Sequence, residues 1–316
     1  MKNTQQIFAT FLFGILVFPL ACTYKSHASI AHRNEDNDKH KIDYDTIFAD
    51  NTGFNESEVI DKKIAIAEGT FVNVNGVDGS LDVQATDGNE AEIHIVRLAK
   101  TKDALQRQKP TFEYRKFKED YAYLDVRADG TKTHLSFLWD EIIGRDDVRS
   151  HVMVKLPRNV NFYASDINGR VNIAALDRLV SAGSINGSLT VAKTTGHSQF
   201  VGINGNLKAN IAGIDQENGI RLLAINGDVD LRFLTDVNAK INAKEVNGHI
   251  TTNLPKVRVE KQEPETYQAV VGTGGPEIFI SKMNGNITLA PTQRAENKKS
   301  TSTISDDQLA KTERSK

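Results

Sequence analysis

Asp228 and Asp230 are the residues whose type and spacing come nearest to catalytic chemistry. On an extended strand, residues two apart share a face. Two carboxylates on one surface are what hydrolysis of a glycosidic bond requires. Lys208 is the charged neighbour expected beside them, and no further supporting group accompanies the pair. The bland reading of the same residues is a charged surface that discourages edge-to-edge pairing. Other chemistries lack their residues. The eight histidines (His27, His32, His40, His94, His134, His151, His197 and His249) include no His-x-His or His-x-x-x-His pair in the body of the chain. A metal needs three or four converging ligands, so no metal is expected. Asp215-Gln216-Glu217-Asn218-Gly219 begins like a calcium loop but lacks the remaining ligand positions, and a polar turn fits it better. Gly183-Ser184-Ile185-Asn186-Gly187 is not a nucleophile elbow, and no phosphate-binding glycine loop occurs. No cofactor is expected.

The elements that would position any such group are announced by a recurring phrase. An apolar residue is followed by Asn-Gly, a variable residue and alternating apolar positions. It occurs at Asn168-Gly169, Asn186-Gly187, Asn204-Gly205, Asn226-Gly227, Asn247-Gly248 and Asn284-Gly285. A weaker relative lies at Val74-Asn75-Gly76-Val77-Asp78-Gly79. The asparagines are 18, 18, 22, 21 and 37 residues apart, the last gap being close to two repeats. A near-constant period of about twenty residues marks one small unit per coil. Asn and Gly adopt positive φ at low cost, so each Asn-Gly is expected at a corner. After the corner, Val171 and Ile173 should face inward, and Arg170 and Asn172 outward. Stacked coils would bring the asparagine amides into hydrogen-bonded columns. The competing reading is a series of hairpins, for which Asn-Gly is also the best turn. Hairpins do not require one spacing. The expected fold is therefore all-β, a single-stranded β-helix or solenoid of Asn-Gly repeats with an N-terminal β-rich cap. The twelve corner residues are structural on this reading.

The rest of the chain supports that division. Period-two alternation at residues 63–66, 71–74, 91–96 and 121–126 predicts strands, and residues 102–108 predict a short helix closed by Pro110. With 39 basic and 41 acidic residues, nothing points to nucleic acid. One cysteine, Cys22, excludes an internal disulfide. Ile7 to Leu20 is almost wholly apolar behind Lys2, the length of a signal-peptide core. Ala21-Cys22 then resembles a bacterial lipobox, with Cys22 as the lipid-bearing residue, although Pro19 stands where Leu is usual. Cleavage near Ser26-His27-Ala28 is the alternative, and an uncleaved anchor a third. Each places the body outside the cytoplasm, in the periplasm or cell envelope. The expected segments are a signal peptide over 1–22 or to 28, a polar linker over 23–60, a β-rich part over 61–165, repeats over 166–291 and a disordered tail over 292–316.

The stretch from Val152 to Ile173 carries a resemblance. An alternating strand ends in Leu156-Pro157-Arg158-Asn159-Val160, a second strand follows, and then Ile167-Asn168-Gly169-Arg170-Val171-Asn172-Ile173. This order resembles a bacterial family of putative adhesin domains with short β-strand repeats, a domain of unknown function, over about residues 60–290. The resemblance implies a β-solenoid and an envelope location. It implies no catalytic residues. The expected role is a binding or structural module whose partner is a glycan or an envelope or surface protein. A polysaccharide-active enzyme using Asp228 and Asp230, and a self-assembling envelope scaffold, are the rivals. Any membrane contact would be through an N-terminal lipid.

Overall fold

The computed structural model describes residues 53–117, 121–129, 148–195 and 197–292. The expectations for Cys22, the signal peptide and the C-terminal tail lie outside the described residues, and the described residues from Phe54 onward form one unit. The chain is all-β. Its nineteen described strands join in one hydrogen-bonded sheet, and the single described helix, α1 (Lys102–Arg107), is the short one expected. Thr101 caps it by accepting a hydrogen bond from Ala104 N at 3.1 Å.

Two columns of parallel strands dominate. The first column stacks the front of β2 (Phe71–Thr86) and of β7 (Asn161–Ile173), then β8 (Val180–Asn186), β10 (Ser198–Asn204), β12 (Ile220–Asn226), β18 (Glu277–Asn284) and β14 (Ala239–Asn247). The second stacks the back of β2 and of β7, then β9 (Leu189–Thr194), β11 (Leu207–Ile211), β13 (Val229–Phe233), β19 (Ile287–Pro291) and β15 (Ile250–Thr252). Each layer holds one strand of each column, joined at a corner. Inward residues from every layer make one apolar core, with Phe162, Phe200 and Phe233 in it. Val171 and Ile173 are buried and Arg170 is exposed, as the alternation required.

The order of layers departs from the order of sequence. The layer of Asn284 lies between those of Asn226 and Asn247. After β13 the chain skips a layer, lays down β14 and β15, and turns through the hairpin β16 (Val257–Glu263) and β17 (Thr266–Val271). It then returns to fill the gap with β18 and β19. The skip needs a rise of about 9.6 Å, two strand spacings. The five residues between Phe233 and Ala239 can span about 17 Å. The gap of 37 residues between asparagines is the detour through this hairpin, not a second, degenerate repeat in line.

Added strands close the column ends, two of them parallel to β2 and each extended outward by antiparallel neighbours. β5 (Tyr121–Arg127) lies along the front of β2 and carries β4 (Thr111–Phe117). β6 (Val148–Pro157) lies along its back and carries β3 (Glu90–Ala99) and then β1 (Glu56–Ala65). β1 begins at Glu56, inside the segment expected to be linker. Its charged residues hid it, because an outer strand tolerates charge on both faces. β7 crosses the expected boundary at residue 165, because one strand supplies both arms of a layer. Arg97, fully buried, ties the cap together. It donates to Glu58 at 2.5 Å and to the carbonyl oxygens of Leu105 at 3.1 Å and Gln108 at 2.5 Å.

Candidate functional site

The corner residues form a framework. Asn186 Nδ2 donates to Asn168 Oδ1 at 2.8 Å, Asn204 to Asn186 at 2.9 Å, and Asn226 to Asn204 at 2.9 Å. Asn284 donates to Asn226 at 2.8 Å and Asn247 to Asn284 at 3.0 Å. The column ends in Asp78, which accepts from Asn168 Nδ2 at 2.8 Å. A carboxylate only accepts, so Asn168 must turn its amide nitrogen to Asp78, and every later amide must follow. One acidic residue thus sets the direction of six hydrogen bonds. The layer of β2 enters the column through Asp78-Gly79, in register with Asn168-Gly169, and not through Asn75-Gly76.

The expected corner geometry needs correction. The asparagines do not take positive φ. The glycines that follow do, at 148–154° from Gly169 to Gly285. So do the residues two before each asparagine, namely Asp166, Ser184, Gly202, Ala224, Glu245 and Lys282, at 52–66°. The bend is therefore at that earlier position. The glycine is required by close approach, since a Cβ at Gly205 would lie 2.2 Å from Gly187 O. Asparagine is there for its amide.

Asp228 and Asp230 have structural partners. Asp228 Oδ1 accepts from Asn286 N at 2.9 Å, one of a second set of corner bonds in which Asn206 Oδ1 accepts from Asp228 N at 3.0 Å. Asp230 pairs with Arg232 Nε at 2.6 Å and stands in register with Lys208. Asp215 caps its own turn. Its Oδ1 accepts from Asn218 N at 2.7 Å and Glu217 N at 3.1 Å, and these bonds, that of Asn218 foremost, hold its carboxyl below the usual range. Among the described residues no cluster of three or more His, Cys, Asp or Glu could hold a metal ion. His151 Nδ1 lies 3.1 Å from Ser80 Oγ, and burial, with Arg149 beside it, pushes its pKa below 6.5.

The outward face of the first column is different. At its capped end three rings stand in the open: Phe71 is 36% exposed, Phe117 46% and Tyr121 46%. The centroid of Tyr121 is 5.2 Å from that of Phe71 and 5.7 Å from that of Phe117, with planes inclined at 35° and 49°. Tyr123 lies in register with Phe71, and Tyr163 with Asn73. Polar groups fill the next row. Asp125 Oδ1 accepts from Asn73 Nδ2 at 2.6 Å, Asn75 Nδ2 at 2.9 Å and Tyr123 Oη at 3.2 Å. Burial, and then the Asp125 charge, push the Tyr123 hydroxyl up to about 12, so it stays a neutral donor. Farther along the face, Phe279 lies between Arg221 and Lys244, whose cationic groups are 5.5 and 5.2 Å from its centroid. The alternation at residues 71–74 and 121–126 announces only strands, and the repeats' own Phe200 and Phe233 are core. The pairing of β5 with β2 across fifty residues is what assembles the rings.

No family model and no curated protein matches the chain. Solved structures resemble it at low identity. A putative cell adhesion protein from Clostridium sporogenes ATCC 15579 is 16% identical with a TM-score of 0.41, over 75% of this chain and 100% of that one. A putative adhesin from Bacteroides fragilis NCTC 9343 is 12% identical with a TM-score of 0.29, over 73% and 97%. Another, from Parabacteroides merdae ATCC 43184, is 13% identical with a TM-score of 0.23, over 73% and 96%.

Proposed function

We propose that this protein is a β-solenoid binding module of the bacterial envelope, an adhesin-type protein without catalysis, that holds a glycan chain on the outward face of its first column. The observation that carries the reading is the cluster of exposed rings at Phe71, Phe117 and Tyr121. Aromatic rings left open to water at one spot contribute most when a partner covers them. Sugar rings offer apolar CH faces for stacking and hydroxyls for the neighbouring carboxylate, amides and phenols. The inclined ring planes suit a single twisted chain better than a flat crystalline surface. From β2 to β18 the face spans five strand spacings, about 24 Å, enough for several sugar units. The apolar segment before Ala21-Cys22 supports export, with a lipid on Cys22 or release after cleavage near Ala28.

The enzyme reading has less support, because Asp228 and Asp230 are engaged in a corner bond and an ion pair. The scaffold reading meets outer strands β1, β4 and β16 rich in charged residues, a standard guard against edge pairing. The test is a titration of the purified protein against a panel of soluble polysaccharides. A bound glycan whose affinity falls about tenfold or more in Tyr121→Ala supports the reading. Binding indifferent to all three rings contradicts it, and release of reducing ends would favour the enzyme.

A further inference from the structure

Three of the four column ends are closed by an added strand: β5 and β6 on β2, and β17 on β14. The fourth is open. β15 pairs with β19 alone among the described residues. Its inner edge is used, since Ile287 N donates to His249 O at 2.8 Å and Asn253 N to Leu289 O at 2.8 Å. In a parallel strand the intervening residues, Ile250 and Thr252, turn N–H and C=O the other way.

The inner layers show what a following layer supplies. Gly205 N donates to Asn226 O at 2.9 Å, Leu207 N donates to Asp228 O at 2.9 Å, and Asn204 Oδ1 accepts from Asn226 Nδ2 at 2.9 Å. The corresponding groups in the last layer are Gly248 N, Ile250 N and Asn247 Oδ1, and no described residue meets them. They border a groove of about 450 Å³ walled by Val246, Ile250, Pro264, Glu265 and Tyr267. The tip of the β16–β17 hairpin bounds the groove at the corner, where Val246 N donates to Glu265 O at 3.3 Å.

We propose that this end receives an extended segment of a partner polypeptide that carries an Asn-Gly corner, adding one layer to both columns. Charge favours such an occupant. The amide column presents its oxygen end here, beside the carboxylates of Glu263 and Glu265. An incoming amide N–H, followed by a lysine or arginine, complements both. A second folded copy has no such corner to offer. All six repeat corners lie within the column, and Asn75 of Asn75-Gly76 is 1% exposed. Asn218-Gly219 is tied into its own turn by bonds from Asn218 N, Asn218 Nδ2 and Gly219 N to Asp215, and the Asp78 end is covered by β5 and β6. The occupant is therefore a segment of another protein, docking by strand addition.

The probe is a dye-labelled peptide with the sequence of Ile203–Ile211, Ile-Asn-Gly-Asn-Leu-Lys-Ala-Asn-Ile, titrated into the full chain. Saturable binding is expected, with amide exchange slowed at Gly248 and Ile250. Ile250→Pro removes one outward N–H that no described residue accepts, so it should weaken binding about tenfold or more relative to Ile250→Ala, which loses the same packing against the core but keeps the N–H. Thr252→Pro is the substitute if that variant does not fold. A peptide with aspartate in place of its first asparagine should bind about tenfold more weakly, for want of the amide donor. No saturation up to about 1 mM peptide, or equal binding by the proline variant, overturns the proposal. So does concentration-dependent dimerisation that the proline variant abolishes, which would assign the end to a second copy.

Discussion

Placing an aspartate in the middle of the asparagine column creates a defect that no amide rotation can remove. In Asn204→Asp the new carboxylate accepts from Asn226 as before, but it also faces Asn186 Oδ1. Turning Asn186 moves the clash to Asn168, and turning Asn168 moves it to Asp78, which only accepts. One acceptor–acceptor contact must remain. The cost is one lost hydrogen bond, about 1 kcal/mol, plus a repulsion that solvent screens because the column is exposed. We expect about 2 kcal/mol in total, or a fall in Tm of roughly 4–8 °C for a body of this size. Asp78→Asn should rescue it. The amide introduced at position 78 can donate, so Asn168 and Asn186 can both turn and every contact is satisfied. Thermal unfolding of the two single variants and the double variant forms a cycle with a predicted favourable coupling of about 1–2 kcal/mol between sites three layers, about 14 Å, apart. Strict additivity, or a neutral Asn204→Asp, would refute the polarised column.

Other outcomes follow from the same geometry. Gly205→Ala places a Cβ 2.2 Å from Gly187 O at a φ of 154°, and should cost about 3 kcal/mol or more in chemical denaturation, above the loss from Asn204→Ala of about 1–2 kcal/mol. Acid should destabilise the fold. His151 has a folded pKa below its ordinary 6.5, so the unfolded chain takes the proton first and stability falls as pH drops through that value. The lowered carboxyl of Asp215 adds its loss at lower pH still. His151→Gln should flatten the Tm profile between about pH 7 and 5, and an unchanged slope would remove His151 from the account.

The all-β class and the inward and outward faces of the repeats were legible because a period of two fixes which side chain is buried. Val171 and Ile173 show it. The stacking of the amides was legible too, because identical residues at one spacing leave few other arrangements. The layer swap was not. Hydrophobic pattern is the same whether Asn284 follows Asn247 or precedes it in the stack, and the choice rests on what the β16–β17 hairpin can cover. The φ of the corner was misplaced because Asn-Gly is read first as a turn. Here Ala224 and Lys282 carry the bend, at 53° and 57°, residues that give no local signal. The ring cluster was hidden for a third reason. Phe71 and Tyr121 are fifty residues apart and meet only through parallel pairing, which sequence spacing does not announce.

The corners form a polar framework, separate from the proposed binding surface on the outer face of the first column. A binding isotherm for a glycan ligand tests that separation most directly, with the full chain compared against Phe71→Ala/Tyr121→Ala and against Asn204→Ala. The account predicts an affinity at least about tenfold lower in the ring variant and little changed in Asn204→Ala, whose loss should appear only in stability. Binding that survives without the rings and disappears with Asn204 would contradict it, and would make the asparagine column itself the recognition site.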